Sequence, residues 1–556
     1  MTVSFNDEDK QAHRVSELLL KEAEEFAQSA ASASGLEYVD LSRLSINTDA
    51  LRLIPEETAR KINVAGFHLT GRELKIATLS PGIPEVTEVV TTLSKDYTPT
   101  LYVCSRASLE RAWERYKEIS YAKETKAGQV DISNEHLTLF MSRIKEIGVI
   151  QTLINEATGA EGSNVTNIIE IILAGALVTR ASDVHIEPQE SDVRVRLRID
   201  GLLTDVGHFT HKTNHMVLSR LKLISALKLN VGTMRQDGRF SIKVGDNSIE
   251  VRTSVIPGGY GESVVMRILN PESIDVTLEA LGMDGHLLSI ISREIAKPNG
   301  MILNTGPTGS GKTTTLYAFL REVNDPGSKI ITIEDPIEYH LAGITQTQVE
   351  VERGYTFNEG LKSAMRQDPD IIMVGEIRDG DTASTAIDAA LTGHLVFSTL
   401  HTNNAAGAIP RLIDLGVNAK VIGPAVNIAL AQRLVRKVCK DCARDAVPTD
   451  EEMKIITSVL KKIKARGITV PDKIHLKKGV GCATCHTTGY KGRIGLFEAI
   501  LIDEAVERVI VANPSEYDIA TAAEPQKILR LAQDGILKVV TGVTTLEEVT
   551  RVVDLE

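Results

Sequence analysis

The sequence predicts a multidomain α/β protein whose largest part is a parallel, doubly wound sheet. Three observations carry this. The stretch ILNTGPTGSGKTTTLYAF, residues 302–319, sets a glycine-rich turn between an apolar run and a helical apolar pattern. The runs IITI (330–333), IIMV (371–374) and LVFSTL (395–400) follow, each separated by a helical segment, as in parallel sheets with crossover helices. Upstream, DVRVRLRID alternates apolar and charged residues with period two, which marks a half-buried strand of a separate antiparallel domain.

A length of 556 residues and 42% apolar content leave room for three or four domains with real cores. The formal net charge of -12 argues against a dedicated nucleic-acid binder. No apolar run reaches the length of a membrane helix, and the start MTVSFNDEDK resembles neither a signal peptide nor a myristoylation site, so a cytoplasmic protein is expected. Four of the five cysteines form two C-x-x-C pairs, which is metal-ligand usage and not a disulfide framework.

In chain order, VSELLLKEAEEFAQSA places Leu18, Leu19, Ala23 and Phe26 at helical spacing and predicts an amphipathic helix. From Tyr38 to about Tyr116 short apolar runs alternate with turn signals, as in a small α/β domain. Polar residues 120–135 read as a linker. Residues 136 to about 285 fit an antiparallel sheet with helices on one side. Within it RFSIKV and SIEVRTSV flank a Gly245-Asp246-Asn247 turn. Arg194, Arg196 and Arg198 read as a solvated ladder on the outer face of their strand.

Gly306, Gly311, Lys312 and Thr313 satisfy the spacing G-x-x-x-x-G-K-[ST]. Its glycines let the successive N–H groups of Gly306, Thr308, Gly309, Ser310, Gly311, Lys312, Thr313 and Thr314, with Pro307 in the turn, form a concavity at a helix N-terminus. Lys312 would reach the β/γ-phosphates and the Thr313 hydroxyl would ligate Mg²⁺. The next strands end in Glu334, Asp335 and Glu338, in Gly375 and Glu376, and in His401. Ligands of open parallel sheets bind at the carboxyl ends of strands, so these groups are expected to converge on the γ-phosphate. The reaction this implies is nucleoside triphosphate hydrolysis.

The cysteine pairs are Cys439 with Cys442 and Cys482 with Cys485; four thiolates favour a closed structural Zn²⁺ site. A redox pair or incidental thiols are the competing accounts. His486 is surplus to four ligands, and the lone Cys104 reads as a small packed residue.

The segments IITIEDPIEYHLAGITQTQV, RQDPDIIMVGEIRD and LTGHLVFSTLHTNNA resemble the aspartate box, Walker B segment and histidine box of the secretion ATPase superfamily. With ASDVHIEP, QDGR and LRLAQDGILKVVTGVTTLEEV, the chain is similar from about residue 150 onward to the assembly ATPases of bacterial type II secretion and type IV pili. The resemblance implies a RecA-like phosphate-loop domain over 286–556, with a tetracysteine zinc subdomain at 436–498 and C-terminal helices at 500–556. Ahead of it would lie an α+β, PAS-like domain over 136–285, a linker at 121–135 and an α/β docking domain over 1–120.

By motif, the resemblance makes Glu376 the favoured catalytic carboxylate, Glu334 the rival base, and Glu338 part of the same acidic set. It gives His394 and His401 a place at the γ-phosphate, and Arg252 and Arg267 a place on nucleotide phosphates when two domains close. Arg366 and Arg378 also fit arginines of the family. Competing accounts stay open: loop capping for the glutamates, ordinary hydrogen bonding for the histidines, a charged strand face for Arg252 and Arg267, and ion pairing for Arg366 and Arg378. Lys362 receives no role.

The cofactors implied are ATP, Mg²⁺ and Zn²⁺. The partners implied are a homo-hexamer, an inner-membrane platform protein and a cytoplasmic docking protein, with the chain peripheral to the inner membrane and no nucleic acid. Some relatives bind cyclic di-GMP through a repeated arginine-leucine-glycine motif. No such repeat occurs here, and that ligand is not expected. The alternatives are a nucleic-acid-translocating hexamer, a pilus-retraction ATPase, which the cysteines and the N-terminal extension disfavour, and a scaffold that binds ATP without hydrolysing it.

Overall fold

A computed structural model describes residues 23–118, 134–159, 165–270 and 276–555, apart from positions 43, 45, 48, 49, 52, 71, 96 and 246. The chain divides into two compact units, Met1–Lys123 and Glu124–Glu556.

In the first unit, β1 (Glu37–Tyr38), β2 (Val64–Thr70), β3 (Glu73–Thr78) and β4 (Thr98–Val103) form a sheet of order β1-β4-β3-β2. β4 runs parallel to β1 and β3, and β2 is antiparallel. Residues 23–34 are helical, but the face expected of them is wrong: Phe26 is 77% exposed, and Ala27 and Ala31 are buried instead. Glu24 anchors this helix, accepting from Ser105 Oγ and Tyr38 Oη at 2.6 Å each. Leu18 and Leu19, and most of the expected linker, lie outside the described residues. Cys104 is fully buried, as its lone occurrence suggests, and burial pushes its thiol up.

In the second unit the helices Asn134–Arg143, Ile147–Gly159 and Val165–Val178 precede an all-antiparallel sheet. Its strands are β5 (Asp183–Pro188), β6 (Val193–Ile199), β7 (Leu202–Phe209), β8 (Gln236–Val244), β9 (Asn247–Ile256) and β10 (Ser263–Leu269), in order β7-β6-β5-β10-β9-β8. Alternation in β6 is complete, with Val193, Val195, Leu197 and Ile199 buried. Helices Ile147–Gly159, Val165–Val178 and His211–Ile224 share this core. The solvated ladder expected of Arg194, Arg196 and Arg198 is instead a set of ion pairs. Arg196 reaches Glu187 at 2.7 Å, Arg194 reaches it at 3.5 Å, and Arg198 reaches Asp183 at 3.2 Å. Carboxylates on the neighbouring β5 supply the partners, which only strand pairing brings together.

The third sheet comprises β11 (Gly300–Thr305), β12 (Ile330–Glu334), β13 (Thr345–Gln348), β14 (Ile371–Val374), β15 (Leu395–Leu400), β16 (Val426–Val438) and β19 (Tyr490–Leu501), in order β13-β12-β14-β15-β11-β16-β19. All pairings are parallel except the last, an antiparallel ribbon of β16 and β19. Both faces are covered, which is why these strands read as continuous apolar runs. Ile331, Ile372 and Val396 enter one core, and Ile330, Ile371 and Leu395 the other. Between β16 and β19 lie the short pair β17 (Ala443–Asp445) and β18 (Lys477–Gly479), the helix Asp450–Ala465 and the cysteine turns.

Near the cysteine turns the ribbon is clamped by Glu548. Its carboxylate accepts from Arg436 Nη2 at 2.6 Å, from the Arg436 N–H at 2.9 Å and from Arg551 Nη2 at 2.9 Å. Burial opposes its ionisation, but these donors prevail and hold its pKa near 2, against an ordinary 4.5. Stability from this clamp is full above pH 4.5 and is lost as pH falls towards 2, because protonation removes the acceptor. Urea midpoints measured at pH 6, 4 and 3 are expected to fall less steeply for Glu548→Gln than for the wild type. Parallel curves for the two proteins would contradict this.

Candidate nucleotide site and cysteine cluster

β11 delivers the chain into the loop 306–311, and the helix Lys312–Glu322 leaves it. Gly306 has φ 150°, and a Cβ there would stand 2.6 Å from the Gln432 carbonyl oxygen, so only glycine lets the loop lie this close to β16. Behind the loop, Gln432 Oε1 accepts from Asn304 Nδ2 at 2.9 Å and Thr315 Oγ1 at 2.8 Å, tying two sheet strands to the helix. Lys312 Nζ donates to the carbonyls of Gly306 at 2.7 Å and Pro307 at 3.2 Å. Burial pulls its ammonium below the ordinary value and Arg433 adds to this, while Glu376 opposes it. The buried Ser310 Oγ has no hydrogen-bond partner among the described residues, and Thr313 is exposed at the helix start. An orphaned hydroxyl inside a cradle of N–H groups suits phosphate oxygens, and a free threonine hydroxyl beside it suits a hard cation.

The two glutamates stand in different surroundings. Glu334, at the tip of β12, is buried and saturated: one oxygen accepts from Tyr317 Oη at 2.5 Å, the other from Thr332 Oγ1 at 2.6 Å and Gln346 Nε2 at 3.0 Å. Burial, and then the Glu334 charge, push the Tyr317 phenol up. Glu376, just past β14, is more open. It meets Arg378, and His401 Nε2 lies 3.3 Å from its other oxygen. Hydrogen bonds from Thr399 Oγ1 to the Gly375 carbonyl (2.8 Å) and from the Ile377 N–H to the Thr399 carbonyl (3.0 Å) fix the turn that carries it. Arg378 also reaches Asp335 at 3.6 Å.

These groups share one cleft of about 590 Å³, lined by Thr308–Thr314, Glu334, Asp335, Glu338, Glu376 and His401 on one side and by Arg180, Ser182, Arg267 and Asn270 on the other. Arg267 also pairs with Asp183 at 3.1 Å. Arg252 reaches across to Glu338 at 3.0 Å and to the Ile337 carbonyl. His394 is not brought to the cleft. It precedes β15, its Nδ1 lies 3.0 Å from the Ala389 carbonyl, and the whole strand separates it from His401. Arg366 and Lys362 point elsewhere, to Ser363 and Glu359. Tyr317 and Arg493, which also line the cleft, and Gln432 behind the loop belong to no motif of the sequence. Gln432 does leave a signal, a lone amide in the apolar run IALAQRLV.

Cys439, Cys442, Cys482 and Cys485 bring all four sulfurs within 4.8 Å of one another. The separations are 3.8 Å for Cys439 to Cys482, 3.8 Å for Cys442 to Cys485 and 3.7 Å for Cys482 to Cys485. A tetrahedron with metal–sulfur bonds of about 2.3 Å has edges of about 3.8 Å, so the spacing fits four thiolates around one Zn²⁺. The N–H groups of Cys482 and Gly489 point at Cys485 Sγ, at 3.2 and 3.3 Å. His486 stays outside the cluster, its imidazole held low by burial and by Lys491. One turn away, the Gly492 N–H donates to Asp200 at 2.9 Å.

Residues 159–551 match the family model of the type II/IV secretion system protein, and residues 34–123 match that of the MshEN domain. The chain is 36% identical over 520 residues to the type IV pilus assembly ATPase PilB of Myxococcus xanthus (strain DK1622), covering 93% of this chain and 88% of the relative. It is 40% identical over 446 residues to the type II secretion system protein E of Pectobacterium carotovorum subsp. carotovorum, covering 80% and 86%. Among solved structures, the ATPase DotB of Yersinia pseudotuberculosis shares the fold with a TM-score of 0.51 at 18% identity, over 70% of this chain and 94% of that one. A match over most of the length, joined to the phosphate loop and its facing carboxylates, makes this chain a member of the type II/IV secretion system protein family.

Proposed function

We propose that this protein is an ATP-hydrolysing motor that drives pilin or pseudopilin assembly. The observation that carries the reading is the single cleft shared by the Lys312 loop, Glu376 and Arg267. Mg²⁺ at Thr313 would supply charge for the β/γ-phosphate oxygens. Glu376, with His401 beside it, orients the attacking water and takes its proton, and Lys312 leaves the loop carbonyls for the phosphates. Saturated on both oxygens, Glu334 is the positioning member of the pair. Arg252 and Arg267 bring charge from the antiparallel sheet, so that closure of the cleft follows nucleotide state.

In this reading residues 286–556 are a RecA-like ATPase domain with a zinc subdomain at 436–498 and helices at 500–556. Residues 136–285 are a PAS-like domain, joined through a linker at 121–135 to a docking domain at 1–120. Six copies form a ring in the cytoplasm, held to the inner membrane by a platform protein and a docking protein. No helix among the described residues is long and apolar enough to cross a membrane. The pilus relative aligns along 93% of the chain, N-terminal unit included, and this favours pilus assembly. Type II secretion is the second reading, supported by 40% identity to a secretion protein over 80% of the chain.

Phosphate release from Mg·ATP by the purified chain tests the activity. The wild type is expected to turn over, Lys312→Ala to lose nucleotide binding, and double-stranded DNA to leave the rate unchanged. Strong, salt-sensitive stimulation by DNA would point to a nucleic-acid motor instead.

A further inference from the structure

The motif QDGR has no part in the site described so far. Gln236, Asp237, Gly238 and Arg239 open β8. Gln236 ties down the preceding loop, its Oε1 accepting from the Lys228 N–H and its Nε2 donating to the Val231 carbonyl, each at 2.8 Å. A Cβ at position 238 would stand 2.2 Å from the Ser225 carbonyl oxygen, so glycine is needed for the strand to pass there. Both devices serve to place Arg239 directly opposite Arg252. Arg252 in turn faces Arg267, Arg267 faces Asp183, and Asp183 faces Arg198. One row therefore crosses five strands in the order Arg239, Arg252, Arg267, Asp183, Arg198.

Like charges directly opposite one another destabilise a sheet, and two such pairs lie side by side here. Their compensation is uneven. Arg267 and Arg198 share Asp183, and Arg252 has Glu250 at 3.3 Å and Glu338 at 3.0 Å. Arg239 is exposed and has no ion pair among the described residues. Strands lie about 4.8 Å apart, so the row from Arg267 to Arg239 spans about 10 Å, on the scale of a triphosphate tail. Arg267 lines the nucleotide cleft, as does Glu338, the partner of Arg252.

We propose that Arg239 is a third phosphate-binding arginine of the cleft, which takes the terminal phosphoryl group of the bound nucleotide alongside Arg252 and Arg267. The proposal rests on the ATP reading above. Arg252 is anchored just beyond the tip of β12, where the γ-phosphate is expected, and Arg239 stands next to it on the side away from Arg267. The repulsive row then has a purpose, since the missing negative charge arrives with the ligand.

Thermal unfolding and nucleotide binding of the full chain, with Mg·ATP, with Mg·ADP and with neither, test this on the wild type, Arg239→Ala and Arg239→Lys. Without nucleotide, Arg239→Ala is expected to unfold at a temperature equal to or above that of the wild type, because a repulsive neighbour is gone. It should bind Mg·ATP about tenfold more weakly, the loss of one charge-assisted contact, and Mg·ADP within about twofold of the wild type. Arg239→Lys should recover most of the ATP affinity. A lower unfolding temperature without nucleotide, together with an unchanged ratio of ATP to ADP affinity, would mark a structural arginine and overturn the proposal. Equal losses for the two nucleotides would overturn the assignment to the terminal phosphoryl group. A wild type that neither binds nor hydrolyses ATP sinks the underlying reading. A wild type that does both, with Arg239→Ala indistinguishable from it, sinks the role of Arg239 alone.

Discussion

Replacement of Glu376 by glutamine is expected to cut ATP turnover at least about a hundredfold while Mg·ATP affinity stays within a few-fold of the wild type. The amide keeps the shape of the side chain and its contact with His401, but cannot take a proton from water. Glu334→Gln should behave differently. Three donors converge on the Glu334 carboxylate from Tyr317, Thr332 and Gln346, and an amide would turn its own N–H groups towards one of them. Leaving buried donors unsatisfied costs about 1–3 kcal/mol, so this variant should lose thermal stability as well as activity. Single-turnover phosphate release, nucleotide titration and thermal unfolding of the two variants separate the roles. Full turnover by Glu376→Gln, with abolition only in a still stable Glu334→Gln, would exchange them.

The second large effect is expected from the cysteines. Metal analysis of the purified chain should return one zinc per chain, and Cys442→Ser should abolish it. Removal of a structural metal releases folding energy of several kcal/mol, so the unfolding temperature should drop by about 5–10 °C on chelation. Hydrogen exchange should rise first at residues 439–442 and 482–492, including the Gly492 N–H that meets Asp200. A chain free of zinc that keeps its unfolding temperature and its protected cysteine turns would refute a structural site.

Legibility in the sequence followed locality. The phosphate loop needs contiguous residues, and the strands buried on both faces announce themselves as IITI, IIMV and LVFSTL, so both are visible without a structure. Partners supplied by another strand are not. The ion pairs of Arg196 and Arg198 depend on β5 lying beside β6, and the row from Arg239 to Arg198 depends on four strand registers. The ribbon of β16 and β19 pairs segments more than fifty residues apart, with nothing in either to name its mate. His394 is a different case. Seven residues of extended chain span about 20 Å, so two histidines flanking one strand cannot both touch the same phosphoryl group from a single subunit. In the N-terminal helix the large Phe26 outranked two alanines as a core candidate, whereas small side chains allow the closer approach that the helix makes.

The ribbon has a mechanical corollary. Gln432 sits against the phosphate loop near its middle, and the cysteine turns cap its far end, six residues beyond, about 20 Å away. Six of its ten paired positions, from Gln432 to Val438, keep it stiff over that distance. It is therefore a lever: a pivot of about 5° at the nucleotide end sweeps the capped tip through about 2 Å. A zinc ion held by the four cysteines at that tip would keep the two arms from splaying, so that the sweep would be delivered as displacement instead of being absorbed as bending.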